Sequence, residues 1–141
     1  MIAYVDASVL LRVVLRQPNA LREWPQIERG VSSALVATES LRTLDRLRLR
    51  AQLSDAEIAS RRRAILAVLA SLEIIEIDQM VLDRSAQPMP TELGTLDAIH
   101  LASALLWRES TGEELTMATH DRALAIGAEA HGIPVLGVKP A

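Results

Sequence analysis

Cysteine is missing from all 141 residues, and phenylalanine with it. Without thiols, disulfides, thiolate nucleophiles and zinc-thiolate sites are excluded, so any metal must be held by oxygen or imidazole. Aromatic residues are reduced to Tyr4, Trp24 and Trp107, which leaves base stacking little part in any nucleic-acid contact. The core therefore falls to Leu, Ile, Val and Ala. Also missing is any stretch of about 18 apolar residues, and the opening MIAYVDAS has no basic segment leading into an apolar run of signal-peptide length. A cytosolic location with no membrane partner is the expectation.

What is present is half hydrophobic and long enough to build a sizeable core, so one domain over residues 1–141 is expected. The formal charge of −3 is unevenly spread. From Arg42 to Arg63 stand seven arginines against Asp45, Asp55 and Glu57, a segment of +4, which leaves the remainder at −7.

IAYV (Ile2 to Val5) is a short apolar, partly β-branched run ending at an aspartate, and SVLLRVVLR after it has helical spacing. Pro18 and Asn19 mark a break, and Leu21 to Glu28 read as a second short helix ended by Gly30. A brief strand is expected near Val31 to Ala34, followed by a long helix. Ser54, Asp55 and Glu57 resemble a helix start leading into an apolar stripe at Ile58, Ile65, Leu66 and Leu69. Then come the strand IIEI (Ile74 to Ile77), a short helix after Asp78, and the break QPMPTELG. The stretch TLDAIHLASA opens a helix over roughly Leu96 to Glu109, anchored by Leu96, Ile99 and Leu101. LTMAT, DRALAIGAEAH and IPVLGV complete the order as strand, helix and strand. Strands alternating with helices imply right-handed crossovers and a mainly parallel sheet of about five strands covered on both faces. The fold class is α/β, a three-layer αβα sandwich.

In open parallel sheets, ligands bind outside the carboxyl ends of the strands. Asp6 directly follows the first strand, Glu39 lies in the first turns of the helix after the second, and Asp121 follows the fourth. Asp97 opens a helix leading back to the same sheet. Each acid alone has a plain structural explanation. Asp6 and Asp121 suit N-caps, worth about 1 kcal/mol. Asp97, two residues after a capping Thr95, suits the helix dipole by roughly 0.3 to 1 kcal/mol, and Glu39 suits a pair with Arg42 worth about 0.2 to 0.5 kcal/mol.

Their joint placement points further. Close carboxylates repel by about 1 kcal/mol per pair even in water, so such a cluster needs protonation or a counter-charge. A hard divalent cation, Mg²⁺ or Mn²⁺, suits an all-oxygen set, and the matching chemistry is metal-dependent phosphodiester hydrolysis. Ser8 and Thr119 stand two residues from Asp6 and Asp121, where a hydroxyl can orient a carboxylate, a water or a phosphate, or simply cap. His100, one turn beyond Asp97, either faces the same cleft or is a hydrogen-bonded core residue. His120 and His131 have no ligand spacing. The arginine-rich segment, with Arg42, Arg46 and Arg50, is either a phosphate-contacting surface or a solvated helix face.

IAYVDAS, SSALVATESLR, TLDAIHLASAL and LTMATHDRALAIGAEAHGIPV, in this order and spacing, resemble the PIN-domain ribonucleases, and among them the VapC-type toxins of bacterial toxin-antitoxin pairs. The sharpest pieces are the D-A-I-H-L-A and T-x-D-R-x-L runs. The resemblance implies that Asp6, Glu39, Asp97 and Asp121 form an acidic quartet holding Mg²⁺ or Mn²⁺ for endonucleolytic RNA cleavage, with Ser8 and Thr119 in support. It also implies a homodimer and a small antitoxin partner whose basic side chain enters the acidic pocket.

Two other classes compete. A phosphatase of the aspartyl-phosphate type wants a second Asp where Ser8 stands. A phosphoacceptor domain wants acids adjacent to Asp6 and a lysine at the cleft, whereas Lys139 falls beyond the cleft end of the fifth strand. A catalytically silent binding module has no need to keep the carboxylate repulsion.

Overall fold

Ala3, Tyr4 and Val5 are fully buried, so the first strand, β1 (Ile2–Val5), is covered on both faces and belongs at the centre of a parallel sheet. The computed structural model describes residues 1–50 and 53–139. In it β2 (Arg29–Ser33), β3 (Glu73–Ile75), β4 (Thr116–Ala118) and β5 (Val135–Leu136) join β1 in the order β3-β2-β1-β4-β5, and every pairing is parallel.

Alternate residues of β1 decide the layers. Ala3 and Val5 pack against α1 (Ala7–Val14), α2 (Leu35–Leu49) and α3 (Asp55–Ser71) through Val9, Leu10, Val36, Leu44 and Ile65. Tyr4 turns to the other face, where Leu101, Leu105 and Leu124 of α5 (Thr95–Thr111) and α6 (Arg122–Ala130) meet it. Helix α4 (Gln79–Ser85) closes that second layer, with Val81 against Ile99 and Ala102. The chain passes from β1 through α1 to one side of the sheet and returns through α5 to β4 on the other. The crevice between the carboxyl ends of β1 and β4 is therefore the topological switch point, where ligands bind in such sheets.

Local chemistry explains most boundaries. Ser54 caps α3 by accepting from the Glu57 amide, and Asp78 and Asp121 do the same for Val81 and Leu124. Helix α5 ends at Gly112 with φ of 70°, a left-handed conformation that glycine adopts without a Cβ penalty. Four expectations need correction. The helix expected over Leu21 to Glu28 is only a 3-10 turn at Trp24–Gln26, because an α-helix there would set the Pro25 ring against the carbonyl of Leu21. Leu66 is 43% exposed and leaves the inward stripe of α3 to Ile58, Ile65 and Leu69. Leu96 is 51% exposed and anchors nothing, whereas Ile99 and Leu101 are buried as expected. Gly94, not Thr95, holds the N-cap position of α5. Among the described residues no helix is long and apolar enough to cross a membrane.

Candidate functional site

Asp6 is delivered by the end of β1, and its amide donates to the carbonyl of Ala118 at the end of β4. It sits at the N-cap position of α1, yet its side chain makes no capping bond. One of its oxygens, Oδ2, accepts instead from the hydroxyls of Ser8 at 2.7 Å and Thr119 at 2.8 Å. Each hydroxyl accepts in turn from a backbone amide, Ser8 from His120 at 3.0 Å and Thr119 from Asp121 at 2.9 Å. Two N–H to O–H to carboxylate chains thus end on one oxygen, each bond polarising the next. They leave Oδ1 turned away from the hydroxyls, 3.9 Å from Nε2 of His100. Both hydroxyls thus bond Asp6, and the cap expected of Asp6 is not made by its side chain.

Glu39 reaches across from the second turn of α2 to His100, its Oε1 2.5 Å from Nε2. The pair with Arg42 does not form, since Arg42 lies 3.5 Å from Asp45 instead. Asp97 is the third residue of α5 and half-buried. Asp121 spends one oxygen, Oδ1, on the amide of Leu124 at 3.1 Å.

All four carboxylates line a single cleft of about 470 Å³ at the switch point, together with Ser8, Thr38, Arg42, Thr43 and Arg46. Asp6, Glu39 and His100 form its tightest group, with one ligand-capable atom from each within 4.8 Å of the others. Arg50, at the C-terminal end of α2, lies outside the lining. A larger cavity of about 690 Å³ opens at the opposite rim beside Met1, Thr116 and Pro134, but it gathers no such set of acids.

Electrostatics single out the smaller cleft. The Asp97 carboxyl is pushed up to about 6, first by burial and then by the charges of Asp121, Asp6 and Glu39, with His100 opposing them. Burial pulls His100 down, but its bond to Glu39 and the charges of Asp6, Glu39 and Asp97 outweigh that and hold it above its ordinary value. Tyr4, buried and facing the charge of Asp6, is raised as well. Burial and neighbouring carboxylates thus raise Asp97, while the same carboxylates favour the charged form of His100.

The sequence left His100 between two alternatives, and it is both at once, a buried core residue that is bonded to a cleft carboxylate. Tyr4 was missed, and its signal was a lone hydroxyl in an apolar strand that had to find a partner. His120 and His131 bond through Nδ1 to the carbonyls of Gly137 and Gly127.

The PIN domain model matches residues 3–134, from β1 to the threshold of β5. The chain belongs to the PIN-domain family. Ribonuclease VapC46 of Mycobacterium tuberculosis is 34% identical over an alignment of 137 positions that covers 94% of this chain and 95% of that relative. Two solved structures share the fold at 23% identity. One is a toxin-antitoxin complex from Klebsiella pneumoniae, with a TM-score of 0.63 over 98% of this chain and 96% of that one. The other is PAE2754 from Pyrobaculum aerophilum, with a TM-score of 0.62 over 95% and 83%. The five-stranded sheet described above is thus the PIN fold.

Proposed function

We propose that this PIN domain is an endoribonuclease and the toxin of a type II toxin-antitoxin pair, cleaving RNA at the cleft of Asp6, Glu39, Asp97 and Asp121 with the help of Mg²⁺ or Mn²⁺. The observation that carries the reading is the convergence of four carboxylates from four separate elements on one cleft, where burial and then the neighbouring charges raise Asp97 to about 6. Membership of the PIN-domain family and the likeness to Ribonuclease VapC46 support it.

The residues fit a hard cation, because the donors are carboxylate oxygens with no arginine or lysine in ion-pair reach among the described residues. With such a cation bound, the chemistry supplied is water activation and neutralisation of charge at a phosphodiester. The chain's own residues do the rest. Ser8 and Thr119 fix one oxygen of Asp6 and so aim the other into the cleft. Asp97 and Asp121 complete the wall, and Arg42 and Arg46, one turn apart on α2, stand at its mouth to receive the RNA backbone.

The same crowding suits a small antitoxin that inserts a basic side chain among the carboxylates. The domain acts in the cytoplasm, and the exposed Met80 and Leu82 of α4 offer apolar area for a homodimer, which light scattering at micromolar concentration checks. The phosphatase reading loses ground at Ser8, whose hydroxyl is committed to Asp6. The deciding assay is cleavage of varied RNAs by purified protein with Mg²⁺ or Mn²⁺, beside Asp97→Asn. Equal cleavage by both proteins, or none by the wild type with either metal, sinks the nuclease reading.

A further inference from the structure

Tyr4 is fully buried in a strand otherwise made of Ile, Ala and Val. Its hydroxyl meets Nδ1 of His100 at 2.7 Å, the two rings edge to face. The other ring nitrogen holds Oε1 of Glu39. Among the described residues, nothing else holds the Glu39 carboxylate by a hydrogen bond or an ion pair. A glutamate has several side-chain torsions to order before it can serve a ligand, and here one oxygen is already fixed.

We propose that Tyr4 and His100 are positioning residues for Glu39, a buried relay in which a proton on His100 Nε2 fixes one carboxylate oxygen and leaves the other free in the cleft. The inference rests on the metal-dependent reading for its use, since the free oxygen is then a cation ligand. An ionised carboxylate can only accept, so Nε2 carries the proton. In a neutral ring Nδ1 then accepts from Tyr4; in a cationic ring it donates and the phenol accepts. Tyr4 satisfies both, and the hold on Glu39 survives either charge state of the ring.

The competing arrangement is direct ligation, because Asp6, Glu39 and His100 lie close enough to share an ion. It requires Nε2 without a proton, and it gives imidazole to a cation that prefers oxygen. The two are therefore separated by whether the proton stays on Nε2 once the cation is bound or is released to solvent. Tyr4 would still contact Nδ1 in the ligating case, as outer partners of metal-bound histidines do.

The test combines imidazole ¹⁵N spectra of the full chain, metal-free and with saturating Mg²⁺, with calorimetric Mn²⁺ affinities for wild type, Tyr4→Phe, His100→Gln and His100→Ala. Expected are a protonated Nε2 and a fall in Mn²⁺ affinity of about 10- to 100-fold in His100→Ala, smaller in Tyr4→Phe, and within about threefold of wild type in His100→Gln, whose amide still donates to Glu39. Tyr4→Phe preserves the shape of the core and keeps the test open should His100→Ala fail to fold. A neutral ring protonated only on Nδ1, unchanged affinity in Tyr4→Phe, or His100→Gln as damaged as His100→Ala overturns the relay. Protonated Nε2 that responds to Tyr4→Phe in a wild type binding no Mn²⁺ upholds the relay and removes the metal reading, so the two failures are told apart.

Discussion

At the amino-terminal rim of the sheet, Arg29 bonds Glu113 at 3.0 Å and Glu73 at 3.2 Å while its guanidinium lies 5.8 Å from the centre of the Trp107 ring. Trp107 donates to Glu73 in turn. Between α4 and the last turns of α5, Arg84 grips both oxygens of Glu109 and holds that carboxyl below its ordinary range. The carboxyl-terminal rim is the reverse. Among the described residues none of Asp6, Glu39, Asp97 and Asp121 has an arginine or lysine in ion-pair reach, and Asp97 is displaced upward. One rim is complete within the chain. The other is held together by hydroxyls, amides and one histidine, with no arginine or lysine in reach of its acids among the described residues.

The comparison breaks most sharply at Asp97. If crowding governs this rim, Asp97→Asn relieves repulsion, so the metal-free protein melts at a higher temperature while RNA cleavage drops by about 100-fold or more. If the residue were mainly a first-turn acid serving the dipole of α5, the same change would lower the melting temperature and spare cleavage. A thermal melt and a cleavage gel on the same preparation decide between them.

Thr119→Val comes next. Valine keeps the shape but removes the hydroxyl that serves Asp6 and receives the Asp121 amide, both bonds being shorter than 3.0 Å and the residue fully buried. Leaving buried groups unpaired costs about 1 to 3 kcal/mol, and misorienting a carboxylate costs about 10- to 100-fold in metal affinity. Denaturant melts and Mn²⁺ titration should show both losses; a stability loss alone would reduce Thr119 to a structural hydroxyl.

How much of this was legible follows from which interactions are local. The strands and the alternation with helices were readable because apolar runs and turn residues are consecutive in the chain, and the rim shared by Asp6, Glu39 and Asp121 followed from strand order alone. The N-cap bond of Asp121 was legible for the same reason. The Glu39 to His100 bond was not, because it spans 61 positions and joins two helices on opposite faces of the sheet. Nor could spacing show that Oδ2 of Asp6 is shared by hydroxyls 2 and 113 positions away. Leu96 misled because helical spacing marks a face without saying whether the cleft or the core lies beneath it.

The pH response should separate the rims again, by a smaller margin. The folded protein keeps the Asp97 proton up to about 6, whereas the unfolded chain releases it near the ordinary value of about 4. Between those values the native state binds more protons, so this group makes the metal-free protein less stable as pH rises. Glu109, shifted downward, contributes in the opposite sense, with stability lost as pH falls through its lowered value. Chemical-shift titration should give a midpoint near 6 for Asp97, and Mn²⁺ affinity should rise through the same range as the competing proton leaves. A midpoint near 4 would mean that the carboxylates are not crowded in solution.

The smallest effect belongs to the paired rim. Arg29→Ala strips Glu73 and Glu113 of their cation, yet both acids are about half exposed, and water replaces a lost surface partner at little cost. The expected change is a melting temperature lower by no more than about 4 °C, with RNA cleavage and Mn²⁺ affinity untouched. That contrast is the reason to make it: removing a partner from a solvated acid is forgiven, whereas half-buried Asp97 in the opposite cleft has no arginine or lysine in ion-pair reach among the described residues and is raised by burial and by the charges of its neighbours. Should Arg29→Ala lower cleavage as well, charge at the amino-terminal rim would be felt across the sheet, and the separation of the two rims into a structural end and a ligand-binding end would fail.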